Sequence, residues 1–355
     1  MLHSTDVTAP RTTRRMIRMG PSCYHVLHLV PPTIAHEMNF FVEEGLCDED
    51  GHETYQLIPE SHAPFTFERD TLWQTMKERG IDLTMDTKPS TIAHSRIHGK
   101  PLYVIAGWRN QQPFYVMAQP EIDSLADLGG KRIGIIDLDD VLATMISYHL
   151  QEAGVDLDNV DWVTKTDTRR GPAALREKRV EAAFVDAIDL PQVQEEGYRM
   201  LLDVASLYPD GRPDRCIAAT GQALEERPEE VLAFLRAMIR AYWFLRTMPD
   251  NVRVTQAVEK RLRRWSPDPD EPKRMPQFGS AEHAERMPFP LDGHASGFEQ
   301  YLHEAVALGT IPEYIEPAEI TRLDLAAQAF SDLKRQPDRQ PELERVQAVA
   351  GRLGY

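Results

Sequence analysis

The stretch that most constrains what this chain can fold into is Ile122 to Ile136, IDSLADLGGKRIGII. Asp123 or Ser124 is placed to cap a short helical turn through Leu125, Ala126 and Leu128, and Gly129-Gly130 supplies the backbone freedom that ends it. Lys131-Arg132 bring solvated charge to the mouth of a buried strand, Ile133-Gly134-Ile135-Ile136. The polar residues Asp137 to Asp140 follow, and then a helical pattern from Val141 to Ala153. Strand, turn and helix in this order belong to an open α/β sheet, where ligands sit beyond the carboxyl ends of the strands. Asp137, Asp139, Asp140 and Thr144 are therefore candidate ligand contacts, although acids beside a helix start also stabilise the helix itself, which is enough to explain Asp139 and Asp140.

Similar patterns recur along the chain. Met16 to Met19 reads as the first strand, and Val26 to Glu44 as a helix that Pro31-Pro32 interrupt and restart at Thr33. Tyr55 to Pro59, Ile81 to Met85 and Leu102 to Ala106 read as strands, with helices over Phe67 to Arg79 and Thr91 to His98. The expected organisation is a polar arm over 1–15, a first lobe over 16–116 and 205–355, and a second lobe over 117–204. The chain would return to the first lobe through Ile217 to Thr220. A Pro-rich, charged segment over 263–297 cannot hold a continuous helix, so it is expected to cover a cleft or pack on the surface, where it would also serve a homodimer. Trp265, Phe278, His283 and His294 are its functional candidates.

Composition narrows the classes. With 355 residues, 42% hydrophobic and 27% charged, the chain has material for two ordinary lobes and the balance of a globular protein. Its formal net charge of −16 argues against nucleic acid as a partner, because phosphate binding needs a clustered basic face. No run approaches the roughly 18 apolar residues of a membrane span, so no membrane insertion is expected. The opening MLHSTDVTAPRTTRR is polar and lacks the apolar core of about 7–15 residues that a secretory leader carries. The sequence as given is therefore expected to be cytoplasmic, and periplasmic only if a leader was removed. Cys23, Cys47 and Cys216 are odd in number and without paired spacing, which points away from a disulfide framework.

Several further segments carry a family resemblance: AHEMNFFVEEGL (Ala35 to Leu46), HGKPLYVIAG and PFYVMAQPEI (His98 to Ile122), ALREKRVEAAFVD (Ala174 to Asp186) and RPEEVLAFLRAMIRAYWFLRTMPDN (Arg227 to Asn251). With SLADLGGKRIGI they make the chain resemble the type II periplasmic-binding-protein-like superfamily, in the branch of sulfonate-, taurine- and pyrimidine-precursor-binding proteins and thiamin-pyrimidine synthases. The resemblance implies an α/β protein of two lobes, each a sheet flanked by helices, with a hinge and a central cleft. It also implies a small organic ligand, anionic or heteroaromatic, and a transporter permease as the partner of an uptake system. Cytoplasmic enzymes share the fold and give the alternative, a cofactor-independent lyase such as a decarboxylase of an aromatic carboxylate. The Cys-rich iron motif of the pyrimidine synthases is absent.

Site candidates come from the strand ends. The first, Ser22-Cys23-Tyr24-His25, gathers a hydroxyl, a thiol, a phenol and an imidazole. Cys23 would be a nucleophile and His25 or His94 a proton donor if the protein is an enzyme, with Ser22 and Tyr24 as ligand contacts. His25 and His28 lie one turn apart, as do His94 and His98, but with no H-E-x-x-H or C-x-x-C pattern no metal is assigned. The second end, Asp86, Lys88 and Ser90, sets a carboxylate, an ammonium and a hydroxyl beside a helix N-terminus suited to an anion, with Ser90 or Thr91 as its cap. The third, Trp108-Arg109-Asn110, pairs an aromatic face with a guanidinium, apt for a flat ligand bearing a carboxylate. Arg169 and Asp186 occupy analogous ends in the second lobe. No dinucleotide fingerprint, phosphate loop, zinc-protease motif or nucleophile elbow appears, so no cofactor is expected.

Overall fold

The computed structural model describes residues 16–21, 26–57, 71–109, 114–138, 140–186, 189–208, 211–213, 215–247, 260 and 295–344. They form a two-lobed α/β protein built on two sheets. The first holds β1 (Ile17–Pro21), β2 (Tyr55–Leu57), β3 (Leu83–Thr87), β4 (Leu102–Arg109) and β10 (Arg215–Thr220) in the order β2-β1-β3-β10-β4. The second holds β5 (Phe114–Ala118), β6 (Arg132–Gly134), β7 (Asp161–Val163), β8 (Ala182–Asp186) and β9 (Arg199–Asp203) in the order β7-β6-β8-β5-β9. In the first sheet β1 runs parallel to β2 and β3, while β10 is antiparallel to both β3 and β4. In the second, β6 runs parallel to β7 and β8, while β5 is antiparallel to both β8 and β9.

The helices fill the connections: α1 (Val26–Glu37), α2 (Phe40–Glu43), α3 (Leu72–Arg79), α4 (Pro89–Ile97), α5 (Val141–Glu152), α6 (Gly171–Arg176), α7 (Leu190–Glu195), α8 (Val204–Leu207), α9 (Gly221–Glu226), α10 (Pro228–Thr247), α11 (Ala295–Ala307), α12 (Pro317–Ile320) and α13 (Asp324–Arg335). Pro31 and Pro32 do not interrupt α1, contrary to expectation. Both are buried beside Val30 and Ile34 of the core, and that packing outweighs the backbone bonds they forgo. The break falls instead at Asn39, which takes the left-handed conformation (φ 61°) that asparagine tolerates. The 122–140 segment follows its sequence closely: Ser124 and Asp127 form a capping box, Gly130 takes φ 71°, and Asp140 caps α5. The segment over 263–297 lies outside the described residues up to 294, Trp265, Phe278, His283 and His294 included, and its last three residues begin α11.

Both faces of each sheet are buried. Strand β10 shows how: Ile217 and Ala219 enter the core under α1 and α10, whereas Cys216 and Ala218 enter the core under α3 and α4. In the second lobe Val116, Ala182 and Phe184 pack toward α5, and Met117, Ala183 and Val185 toward α6 and α7. The helical layer of the first lobe is pinned by Arg236 and Arg240 of α10, which reach the buried Glu44 at 3.0 and 2.9 Å.

Helix α6 rests so closely on β8 that a Cβ at Gly171 would sit 2.1 Å from the Phe184 carbonyl oxygen. Gly171→Ala is therefore expected to lower stability by about 1–3 kcal/mol. A urea-unfolding midpoint equal to that of the wild type would disprove that close contact.

Candidate functional site

The antiparallel strands define the cleft. Because β1 to β4 run one way, their carboxyl ends share an edge, and the antiparallel β10 begins at that same edge. Cys216 pairs with both Thr87 of β3 and Gly107 of β4, and Arg215 pairs with Arg109. In the second sheet β5 begins at Phe114, paired with Asp186 at the end of β8, and Asp203 at the end of β9 lies beside Tyr115. The chain thus leaves and rejoins each lobe at the carboxyl edge, so both crossings border one cleft. Arg215 Nη2 and Asp140 Oδ1 approach to 4.0 Å across it.

On the first lobe's edge, Lys88 is the N-cap of α4 and Pro89 its first residue. The expected caps, Ser90 and Thr91, lie inside the helix instead, because proline is favoured at the first helical position and shifts the start back to Lys88. Ser90 is buried and accepts a hydrogen bond from the Tyr301 hydroxyl at 3.0 Å, so its hydroxyl braces α11 against α4. Asp86 lies in β3, and Trp108 and Arg109 close β4 at the same edge. His94 is in the last turn of α4, about 7 Å along the axis from Pro89, where its ring lies 4.2 Å from that of His98 and its carbonyl bonds the His98 ring at 2.8 Å. The structure does not bring His94 to the strand ends. Ser22, Cys23, Tyr24, His25, Asn110 and Asp139 lie outside the described residues.

On the second lobe's edge, Asp137 is exposed in the turn after β6 and Asp186 ends β8. Burial, and then the neighbouring Asp186, hold the Asp189 carboxyl above its ordinary range. The Thr144 hydroxyl donates to the Asp140 carbonyl at 2.9 Å, a bond within the first turns of α5. Arg169 is exposed and bonded to Asp167 at 2.9 Å. Away from the cleft, Asp48, Asp50 and His52 group within 4.8 Å, but the first two bonds there are a turn's own, from the Asp50 and His52 amides to Asp48.

Behind the cleft a buried polar junction joins the lobes. The Glu304 carboxylate of α11 accepts Arg212 Nε and Nη2 at 2.9 and 2.7 Å and the Tyr208 hydroxyl at 2.8 Å. Since Tyr208 donates to Glu304, its oxygen accepts from His149 of α5 at 3.1 Å, which sets the His149 proton on Nε2. The guanidinium also lies 4.6 Å from the centre of the Tyr301 ring. Around this junction, Ala93 of α4 and Val141 of α5 pack with Tyr301, Leu302 and Ala305 of α11. Arg212, Arg215, Tyr301 and Glu304 escaped the sequence reading, which took site residues from the ends of strands. An antiparallel return strand presents its beginning instead, and Arg215 directly precedes the apolar run CIAAT.

The NMT1/THI5-like family model matches residues 67–252 of the 355. No curated protein matches the chain. Among solved structures, the periplasmic nitrate-binding protein NrtA of Synechocystis PCC 6803 superposes with a TM-score of 0.59 at 15% identity, covering 92% of this chain and 91% of that one. The periplasmic aliphatic sulphonate-binding protein SsuA of Escherichia coli gives 0.57 at 13% identity, covering 86% and 91%. The desulfurization enzyme DSZB gives 0.55 at 13% identity, covering 90% and 99%. These likenesses are of fold, and they bear out the two-lobed periplasmic-binding-protein-like architecture expected from the sequence.

Two outcomes follow from the junction. Glu304→Ala leaves Arg212 buried without its counter-ion and is expected to cost about 3–5 kcal/mol in denaturant unfolding. Burial holds His149 below its ordinary value of 6.5; Glu304 opposes that shift, Arg212 adds to it and Glu152 opposes it. The unfolded chain therefore takes up this proton at higher pH than the folded one, so stability falls as pH drops below 6.5 and levels off at the lower folded value. Melting curves across that range should be flatter in His149→Asn, and identical pH slopes would show that His149 titrates alike in both states.

Proposed function

The chain belongs to the NMT1/THI5-like family, and from that premise we propose that it binds a small anionic organic molecule in the cleft between its lobes, as the ligand-binding component of an uptake system. The observation that carries this reading is the convergence of Lys88, Arg109 and Arg215 with the N-terminus of α4 on the carboxyl edge of the first sheet. Aligned backbone N–H groups and cations at one edge favour an anion, and a guanidinium adds geometric selectivity for carboxylate or sulfonate oxygens. Two of the matched structures are named for nitrate and for aliphatic sulphonates, both anions. The residues assigned to ligand contact are Asp86, Lys88, Trp108, Arg109 and Arg215 on the first lobe and Asp137, Asp139, Thr144, Arg169 and Asp186 on the second. Ser22, Tyr24 and Asn110 complete the set by their place in the sequence.

Those two neighbours are periplasmic by description, which supports the periplasmic of the two expected locations over the cytoplasmic one, and with it a permease as partner. Among the described residues no helix is long and apolar enough to cross a membrane, in keeping with a partner that supplies the channel. None of the three matched structures described above is a decarboxylase. The desulfurization enzyme, a mutant of which was solved in complex with biphenyl-2-sulfinic acid, is an enzyme of this fold, and Cys23 and His25 remain the candidates if turnover occurs here.

Titration calorimetry with methanesulfonate, nitrate and benzoate, followed by mass spectrometry of the recovered mixtures, tests this reading. Intact recovery of a bound anion is the expected result, and loss of carbon dioxide or sulfite would make the protein an enzyme. Lys88→Ala is expected to weaken the bound anion by about 1.5–3 kcal/mol, the worth of a hydrogen bond to a charged group. Unchanged affinity would remove Lys88 from the site.

A further inference from the structure

Arg215 and Asp140 form an ion pair that joins the lobes across the cleft. Their side chains are only 13% and 11% exposed, at a separation of 4.0 Å. We propose that Asp140 is a specificity-determining residue of the anion site: its carboxylate is a built-in competitor that occupies Arg215 until a ligand anion displaces it. This rests on the anion-binding reading above and adds the means by which the site chooses among anions.

The geometry fixes both partners. Arg215 opens β10 beside Arg109, one residue before Cys216, which pairs with both Thr87 and Gly107. The Arg215 backbone is tied to β4 by the pairing with Arg109, beside a register irregularity between Arg215 and Cys216. Asp140 is held by α5: its Oδ2 accepts the Leu142 amide at 2.9 Å, and its carbonyl accepts the Thr144 amide and the Thr144 hydroxyl, each at 2.9 Å. Capping needs one carboxylate oxygen, which leaves Oδ1 turned toward the cation. At 4.0 Å the pair is longer than a charge-assisted hydrogen bond, about 2.7–2.9 Å, so it attracts without clamping.

A ligand oxyanion that comes within charge-assisted hydrogen-bond distance of the guanidinium attracts it more strongly than Asp140 does from 4.0 Å. A neutral ligand gains nothing against the resident carboxylate. The site thus favours fully ionised acids with oxygens arranged for a guanidinium, and the same attraction draws the lobes together when no ligand is present.

Asp140→Asn tests this cleanly, because asparagine is as good an N-cap and removes only the charge. With methanesulfonate as the probe at fixed ionic strength, Asp140→Asn is expected to bind roughly threefold to tenfold more tightly than the wild type. The gain should vanish in an Arg215→Gln background. Glu121→Gln, which neutralises an exposed acid of the same lobe, should change affinity less than twofold if the effect is local. Equal affinity of Asp140→Asn and wild type, weaker binding by the variant, an equal gain without Arg215, or an equal gain from Glu121→Gln would each overturn the competitor while leaving the anion site in place. If neither the wild type nor Asp140→Asn binds methanesulfonate or nitrate, the anion-binding reading fails as well.

Discussion

The Arg212–Glu304 ion pair is the interaction on which the relation of the two lobes depends. Both side chains are about 1% exposed, and each is taken out of water at a cost that only mutual pairing and further hydrogen bonds offset. The offset comes from four directions: the carboxylate of α11, the Tyr208 phenol at the end of α8, the face of Tyr301, and the His149 imidazole behind Tyr208. Burial pushes the Tyr208 phenol well up, so it stays a donor to Glu304. Removing any member strands another in a low-dielectric setting, which makes the junction act as one unit. Arg212 stands three residues before Arg215, so the junction also fixes where the return strand starts and what it presents to the cleft.

The cleft combines two opposed charge sets. The first lobe offers cations and a helix N-terminus, and the second offers Asp137, Asp140, Asp186 and Asp203. With a formal net charge of −16, the protein as a whole repels anions at long range, so the anion binding proposed above relies on a local, partly desolvated field, for which Lys88 and Arg215 are the proposed sources.

Much of the fold was legible because its signals are local. The capping box at Ser124, the glycine stop, the strand from Arg132 and the helix from Val141 all follow from neighbouring residues, as does the β3 to α4 turn that puts Lys88 at the cleft. One error came where tertiary packing overrides local preference. Pro31 and Pro32 stay helical because the core holds them, whereas the α4 cap falls on Lys88, two residues before Ser90, through the local preference of Pro89 for the first helical position. Arg215, and its pairing with the expected Asp140, were hidden for another reason: each residue has a sufficient local role, at the start of a strand and the cap of a helix, and the pairing spans 75 residues of sequence, 215 − 140. Tyr301 and Glu304 sit in α11, whose approach to both lobes no periodicity encodes.

Among the described residues β10 is the last strand along the chain, yet it lies between β3 and β4 in the first sheet. The second sheet is built from one continuous stretch, 114–203, and can mature as soon as that stretch is made. The first sheet meanwhile holds open a slot flanked by two unpaired edges until residues 215–220 arrive. Assembly of the lobe that carries the cations is therefore ordered after synthesis of the lobe that faces it, and the slot is the place where a slow or faulty second lobe leaves the chain open to pairing with a strand of another molecule.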